Sequence, residues 1–137
     1  DGEIFQMDPI KLCPVPDHHI PLLVGGHAKP ALRRAARLGD GWISAGSSLQ
    51  ELTQMIDQIE EFRKDYGREN LPYEYHAMTE AAYTVDGLES LENAGVTEVI
   101  IAFRNPYDGE PDTQSVEEKL GMLNWYAENV MQPYRNK

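Results

Sequence analysis

The sequence predicts an α/β fold in which four strands are each followed by a helix. Short apolar runs that end near glycines indicate the strands, and apolar stripes of helical period behind capping residues indicate the helices. The two patterns alternate from residue 21 to the end of the chain. Parallel strands joined by helices take right-handed crossovers, so four such units form either half of a (β/α)8 barrel or a small open sheet.

Length and charge restrict the class of protein. The chain has 137 residues, which suits one domain but falls short of the roughly 250 residues of a complete barrel. Its net charge of −11 disfavours nucleic acid and anionic membrane surfaces as partners. Neither a spanning apolar run nor a signal peptide is evident, and Cys13 is the only cysteine. We therefore expect a cytoplasmic protein of one domain, residues 1–137, without an internal disulfide.

The first unit follows a proline-rich arm at residues 1–20, which we predict to be irregular because proline blocks regular helix. The apolar run Leu22–Val24 predicts a strand buried on both faces, and it ends in a glycine pair. A helix is predicted from Pro30 to Leu38, with Gly39 as its C-terminal cap. The apolar stripe of that helix consists of Ala31, Leu32, Ala35 and Leu38.

The second unit begins with Gly41–Ala45, which reads as another buried strand. Ser48 and Glu51 have the spacing of a capping box, and the helix that they begin continues to Gly67. The third strand is predicted at Tyr73–Thr79, where aromatic and polar residues alternate.

The third helix and the fourth strand complete this alternation. Asp86 and Glu89 predict a capping box for a short helix over Gly87–Ala94. The run Val96–Phe103 is the clearest strand in the sequence, and a long loop, Arg104–Gln114, follows it.

A third capping box, formed by Ser115 and Glu118, begins the last helix. We expect this helix to end before Pro133 and to pack through one apolar face. That face consists of Val116, Leu120, Leu123, Ala127 and Val130.

Candidate functional residues follow from the topology, because ligands of parallel α/β folds bind beyond the carboxyl ends of the strands. Four places qualify in this sequence. They are Gly25-Gly26-His27, Ser44-Ala45-Gly46, Thr79-Glu80 and Arg104-Asn105.

The glycine pair supports two interpretations. Gly25 and Gly26 let the backbone approach a ligand, and the following helix has no Ser, Thr, Asp or Asn cap, so its first N–H groups are predicted to be free for an anion such as phosphate. Such pairs more often serve a tight turn. His27 fits either a hydrogen-bonding or proton-transfer role or that of a solvated loop histidine.

The other polar residues have simpler interpretations. We expect Asp40 to accept hydrogen bonds from backbone donors at a turn and Trp42 to fill the core. Glu80 is the best acid/base candidate by position only, and a solvated loop carboxylate is the favoured interpretation. Arg104 fits an anionic ligand, although a surface ion pair is the commoner role of such an arginine. No histidine has metal-ligand spacing, so we predict no metal site.

One segment carries a family resemblance. The run VGGHAKPALRRAARLGDGWI, residues 24–43, resembles the strand, glycine pair, alanine-rich helix and second strand in the C-terminal half of the luciferase-like monooxygenase superfamily, in its coenzyme F420- or FMN-dependent branch. The order of the other segments is similar over nearly the whole chain. The resemblance implies the C-terminal half of a TIM barrel, with units five to eight at residues 21–137.

This resemblance also implies a function. It predicts a flavin- or deazaflavin-dependent oxidoreductase with FMN or F420 as cofactor and an organic small molecule as substrate. By position, Gly25, Gly26, His27, Ser44 and Gly46 line the cofactor, whereas catalytic residues are not assigned. A half-barrel exposes two sheet edges, so we expect it to self-associate or to pair with an N-terminal half. The alternative is a non-catalytic half-barrel that acts as a scaffold or partner subunit.

Overall fold

Four strands form one sheet, and strands and helices alternate along the chain. The computed structural model describes residues 2–11, 13–102, 104, 109 and 111–137. Within these residues, no helix is long and apolar enough to cross a membrane. The elements are β1 (Leu23–Gly25), α1 (Lys29–Leu38), β2 (Gly41–Ala45), α2 (Leu49–Asp65), β3 (Glu74–Met78), a 3-10 turn (Glu80–Tyr83), α3 (Val85–Asn93), β4 (Glu98–Val99), α4 (Val116–Tyr126), a π-helical segment (Ala127–Met131) and α5 (Gln132–Arg135).

The strands are parallel and neighbour one another in sequence order, β1-β2-β3-β4. A doubly wound open sheet reverses its strand order at a switch point, whereas a (β/α)8 barrel adds each strand on the same side. The observed order is therefore that of consecutive barrel strands. The predicted α/β fold class, with four parallel βα units as part of a TIM-like barrel, is confirmed.

The core lies between one face of this sheet and the helices. Trp42 and Tyr75 are register partners and supply aromatic side chains to it, with 0% and 6% of their surfaces exposed. Leu32 of α1 and Ile59 of α2 are buried against the same cluster. Full burial of an aliphatic side chain contributes about 1.5–3 kcal/mol. Helices α1 and α2 are thus packed against β2 and β3 through one shared hydrophobic core.

Two predictions for the first unit were wrong. Leu22 is 55% exposed and Gly25 is exposed, because β1 is an edge strand with helices on one side only. In α1, Leu38 is 52% exposed and Ala36 is buried instead. At 100° per residue, the buried face of α1 is centred between residues 31/35 and 32/36, and this places Leu38 at its border.

Helix starts were predicted well where a true capping box is present. The boxes of α2 and α4 form with both reciprocal hydrogen bonds. In α3 the prediction was wrong: Thr84 is the N-cap, and its hydroxyl accepts a hydrogen bond from the N–H of Gly87 at 3.1 Å. Thr84 is the last extended residue, whereas Asp86 already lies inside the helix, so Asp86 cannot take the half-extended cap conformation.

The fourth strand is much shorter than predicted, Glu98–Val99 instead of 96–103, and Phe103 lies outside the described residues. Its ladder is continued only by the N–H of Thr97 bonding to Tyr75 O and that of Ile100 bonding to Ala77 O. β4 pairs with β3 alone, and β3 ends one residue after Ala77, at Met78. Because β3 ends at Met78, opposite Ile100, it offers no ladder partner to the predicted strand residues after Ile100.

The last helix begins as predicted but does not bury the predicted face. Val116, Leu120 and Leu123 are 66%, 52% and 52% exposed, while Val130 is 2% exposed. Pro133 lies within the helical run instead of beyond it. Proline has no N–H for the carbonyl four residues earlier, and the π-helical segment just before it accommodates this missing bond.

The proline-rich arm is irregular, as predicted, over its described residues. Its end is fastened to the sheet by Asp40, whose Oδ2 accepts hydrogen bonds from the N–H of Leu22 and from His19 Nε2, each at 2.9 Å. Asp40 thus accepts a hydrogen bond from a backbone donor as predicted, but the donor, Leu22, lies 18 residues away in sequence and not within a local turn. The backbone hydrogen bond from Leu22, followed by the one from His19, lowers the pKa of Asp40.

Asp40→Asn should therefore lower the free energy of unfolding by about 1 kcal/mol at pH 7. Its folded pKa lies below the ordinary 3.8, so the carboxylate's contribution is complete above that pH and is lost as the pH falls through the folded pKa. Urea unfolding followed by circular dichroism at pH 7 and pH 2.5 measures the difference. Asp57→Asn, at an exposed position on α2, is the control, and a difference that is no smaller at pH 2.5 than at pH 7 would contradict this role.

Candidate functional site

The carboxyl ends of β1, β2 and β3 bring together three of the four places that the sequence singled out. His27 of the β1 loop contacts residues of the β2 loop. Gly46 of the β2 loop donates its N–H to Met78 O at the end of β3, at 2.8 Å. The fourth place is only partly described: Arg104 lies within the described residues and Asn105 lies outside them.

The two glycines at the end of β1, Gly25 and Gly26, differ in whether the fold requires a glycine at their position. Gly26 has φ +113°, and a Cβ there would lie 2.9 Å from Ala31 Cβ. Its carbonyl accepts a hydrogen bond from Trp42 Nε1 at 2.9 Å. At Gly25 a Cβ would make only an ordinary contact, 3.5 Å from Ile43 Cγ2. The turn thus requires Gly26, whereas packing within the described chain does not require Gly25.

The start of α1 offers fewer anion-binding groups than the sequence predicted. Ala28 is the N-cap and has no side-chain capping bond, as expected. However, the N–H groups of Ala31 and Leu32 both donate to Ala28 O, at 2.7 and 3.1 Å, and Pro30 has no N–H. The donors at this end are the N–H groups of residues 28 and 29. The Lys29 side chain adds a positive charge beside them.

A small polar cluster joins the first two loops. Ala45 N–H donates to His27 Nε2 at 3.3 Å, and Ser44 Oγ lies 3.3 Å from the same nitrogen. Ser44 Oγ is also 2.8 Å from Ser47 Oγ, and both serines are buried. Because Nε2 accepts the backbone N–H, the hydrogen-bond pattern assigns the proton of the neutral ring to Nδ1. His27, itself exposed, is therefore oriented by buried hydroxyl and backbone groups.

A polar cavity of about 520 Å³ adjoins this cluster. The Glu51 carboxylate accepts from the Ser48 N–H at 2.9 Å and from the Ser48 hydroxyl at 2.7 Å. The hydroxyl bond is the main reason that the pKa of Glu51 is lowered. The start of α2 thus already holds an anion, the Glu51 carboxylate. The cavity is lined by Gly46, Ser47, Ser48, Leu49, Glu51, Thr79, Glu80 and Ala81.

Sequence reasoning missed Ser47. It named Ser44 and Gly46, but Ser47 is the residue that connects Ser44 to the cavity. The sequence contained one indication that Ser47 lies in a polar site. Ser47 directly precedes Ser48, the N-cap of α2, and this position often holds an apolar residue that packs against the first turn of the helix. A buried serine there indicates a polar surrounding.

The remaining candidates fall into simpler roles. Glu80 is exposed at the start of the 3-10 turn, as a solvated carboxylate at the cavity rim. Arg104 Nε lies 3.9 Å from Asp112 Oδ2 in a surface ion pair. Trp42 fills the core as predicted and also fixes the Gly26 carbonyl. Over the part of the chain that the structure describes, no group of three or more His, Cys, Asp or Glu side chains could hold a metal ion.

A second cavity, about 580 Å³ and mostly apolar, lies on the helix side of β4. Its walls come from α3, β4 and the C-terminal helix, among them Leu91, Val96, Val99 and Tyr126. It is larger than the polar cavity but lies away from the strand ends where ligands of such folds bind. We therefore assign the functional site to the polar cluster and its cavity.

Among the described residues, the most buried charged side chain lies at the opposite end of the strands. Arg63 is 3% exposed and donates to the carbonyls of Arg68 and Leu71 at 2.7 and 2.6 Å. It also pairs with Glu60 and lies over the ring of Tyr73, whose pKa is raised to about 12 by burial. This cluster fastens the turn that leads into β3. Its position at the amino-terminal end of the strands is typical of a stabilising role.

The sequence of this chain is similar to those of several known proteins. The family model for luciferase-like monooxygenases matches residues 1–124. An uncharacterized protein of Mycobacterium tuberculosis and one of Mycobacterium bovis are each 43% identical over 130 residues, which cover 95% of this chain and 44% of the relative. The pyrimidine monooxygenase RutA of Allorhizobium ampelinum is 36% identical over 72 residues, 50% of this chain and 20% of the relative. The chain thus spans less than half the length of these curated relatives.

The glycines allow a direct test of the geometry. Gly26→Ala should lower the free energy of unfolding by about 2 kcal/mol, because φ is positive and the new Cβ meets Ala31. Gly25→Ala should cost less than about 1 kcal/mol. Gly46 has φ +73°, and a Cβ there would have no atom within 4 Å. Gly46→Ala therefore measures the free-energy cost of the backbone conformation without a steric clash. Urea unfolding measures all three, and equal losses at Gly25 and Gly26 would show that both are required by the fold.

Proposed function

The chain belongs to the luciferase-like monooxygenase family, and from this premise we propose that it forms one wall of the cofactor site of a cytoplasmic flavin- or deazaflavin-dependent oxidoreductase. The observation that carries the proposal is the convergence of the β1 and β2 loops on His27 and Ser44 beside a polar cavity. The family generally uses reduced flavin or F420 with small-molecule substrates. Because the chain covers 44% of its mycobacterial relatives, the activity belongs to the complete barrel.

The residues of this wall fit such a cofactor. Gly25 leaves the strand end open to a planar ring or a phosphate, and no packing contact accounts for its missing side chain. His27 supplies Nδ1–H as a donor toward an anionic or carbonyl oxygen. The Ser44 hydroxyl, 3.3 Å from His27 Nε2, helps to fix the orientation of the imidazole. When bound, a reduced flavin or deazaflavin supplies the hydride or the electrons, and these residues bind and orient it.

Charges around the site favour one orientation of the cofactor. The N–H groups of residues 28 and 29 and the Lys29 ammonium favour an anionic group at the start of α1. Glu51 and Glu80 disfavour an anion in the polar cavity. Residues 28 and 29 would therefore hold the phosphate of such a cofactor, and the acidic cavity would accept an uncharged group in preference to an anion. Gly46, whose φ is positive, lines the cavity at the end of β2.

The non-catalytic scaffold is the second candidate. One observation favours it: β1 and β4 are sheet edges among the described strands, so the folded chain is built to join further strands. Cofactor binding distinguishes the two functions. A scaffold completes a barrel without binding FMN or F420, whereas the oxidoreductase binds one of them once the barrel is complete.

The test is to titrate FMN and F420, by fluorescence, into this chain alone and into this chain combined with the part of the mycobacterial relative that it does not cover. We expect binding in the combination only. His27→Ala and Ser44→Ala should each raise the dissociation constant about tenfold, through loss of one positioned hydrogen bond. His18→Ala, an exposed histidine of the arm, is the matched control. If a folded, combined barrel binds neither cofactor, the oxidoreductase function is wrong and the scaffold remains.

A further inference from the structure

The polar cavity at the ends of β2 and β3 is lined by acidic and hydroxyl side chains. Glu51 and Glu80 line it, and so do Ser47 and Thr79. None of the described residues that line the cavity is a lysine, an arginine or a histidine. A site of this composition accepts hydrogen bonds and attracts positive charge. What it binds depends on which of these groups are already engaged within the chain.

The hydroxyl of Thr79 is a buried polar group without a partner in the described chain. Thr79 is 7% exposed, and as the N-cap of the 3-10 turn it makes no side-chain capping bond. No other described group bonds to its hydroxyl. The fully occluded unpaired polar atoms belong to Arg63, Arg68 and Tyr73, so the Thr79 hydroxyl opens into the cavity that this residue lines. Buried hydroxyls are normally hydrogen-bonded, and the partner of this one must therefore come from the contents of the cavity.

The hydrogen-bond chain behind the cavity leaves Ser47 as an acceptor. His27 Nε2 accepts the Ala45 N–H, so this nitrogen carries no proton in the neutral ring. Ser44 Oγ, which lies 3.3 Å from Nε2, then donates to it, and Ser47 Oγ donates to Ser44 Oγ at 2.8 Å. The single proton of the Ser47 hydroxyl is thereby used. Only the lone pairs of Ser47 Oγ remain for a group inside the cavity.

Both carboxylates retain free acceptor sites. Glu51 Oε2 accepts the hydroxyl and the N–H of Ser48, whereas no described group bonds to Oε1. The carboxylate of Glu80 is exposed at the rim and makes no hydrogen bond or ion pair with the described chain. The N-terminus of α2 opposes them with about half a positive charge. One ionised carboxylate already exceeds this partial charge, so the cavity remains attractive to cations.

We propose that the polar cavity is a binding subsite for a protonated amine. An ammonium group has three N–H donors and one positive charge, and the cavity offers it acceptors from two carboxylates and two hydroxyls. A volume of about 520 Å³ leaves space for the carbon chain next to the nitrogen. The carboxylates repel an anion, and a neutral alcohol satisfies fewer acceptors and balances no charge.

The subsite specifies a substrate class for the function proposed above. If the complete barrel is an oxidoreductase, its organic substrate carries an amino group that is charged at neutral pH. The role of the amine as part of a substrate rests on that proposed function, whereas the binding of an amine in the cavity does not. Amine binding is measured without cofactor, and cofactor binding is measured without amine. The failure of one measurement is therefore distinguishable from the failure of the other.

The test is to titrate propylammonium chloride into the isotope-labelled chain at pH 7 and constant ionic strength, and to follow the backbone amide signals by NMR. Propanol and propionate are the neutral and anionic probes of similar size. We expect saturable shifts at residues 46–51 and 79–81 with propylammonium. Propanol should bind at least about tenfold more weakly because it carries no charge, and propionate should not bind at these residues.

Substitutions at the cavity test the individual acceptors. Thr79→Val removes the hydroxyl, keeps the shape and should weaken propylammonium binding about fivefold, and Thr79→Ser should restore it. Thr79→Val should not lower the free energy of unfolding in urea, because the hydroxyl has no partner in the described chain. Glu80→Gln should weaken binding about fivefold or more. Asp57→Asn makes the same charge change at an exposed position of α2 and should alter the dissociation constant less than about twofold.

Three results would overturn the amine subsite. The first is propanol or propionate binding as tightly as propylammonium, or no saturable shift with any probe on the folded chain, since the cavity would then not select a cation. The second is an equal loss of affinity in Glu80→Gln and Asp57→Asn, which general attraction to a chain of net charge −11 would produce. The third is an unchanged affinity in Thr79→Val, since the unpaired hydroxyl would then not contact the amine.

Discussion

A parallel sheet needs cover on both faces, and in this chain helices cover one of them. The departures from prediction at the two edges of the sheet accompany this constraint. Leu22, just before β1, and Gly25 at its end are exposed, and β4 has no strand partner beyond Ile100 because its single neighbour β3 ends at Met78. The apolar side chains of α4, such as Leu120, remain exposed as well.

The same strand alternation that builds the core also builds the site. Trp42 points into the helix layer, and its indole N–H fixes the Gly26 carbonyl. Ser44, two residues later on the same face, is buried below His27. The packing of β2 against the helices therefore determines the orientation of a loop histidine on β1. A change in the core under β2 would be felt at the strand ends through these two contacts.

The predictions succeeded where the signal is local. The capping boxes of α2 and α4 were read correctly, because the two reciprocal hydrogen bonds lie within four residues. The strand Gly41–Ala45 was placed to the residue, because glycine and an aromatic residue mark its start. The cap of α3 was misplaced, since Thr84 competes with Asp86 and only the backbone conformation decides between them. The site residues Gly25 and Gly26 were named together, although their roles differ.

The sequence by itself determined the order of strands and helices, the family, and the loops in which polar residues would meet. These follow from periodicity, caps and a contiguous motif, which depend on neighbours along the chain. Tertiary structure alone decided that Gly26 is needed for the turn while Gly25 is not, that Ser47 joins the site, and that Glu98 lies beside His76. These facts depend on strand register and on distances between residues far apart in sequence, and no local pattern encodes them.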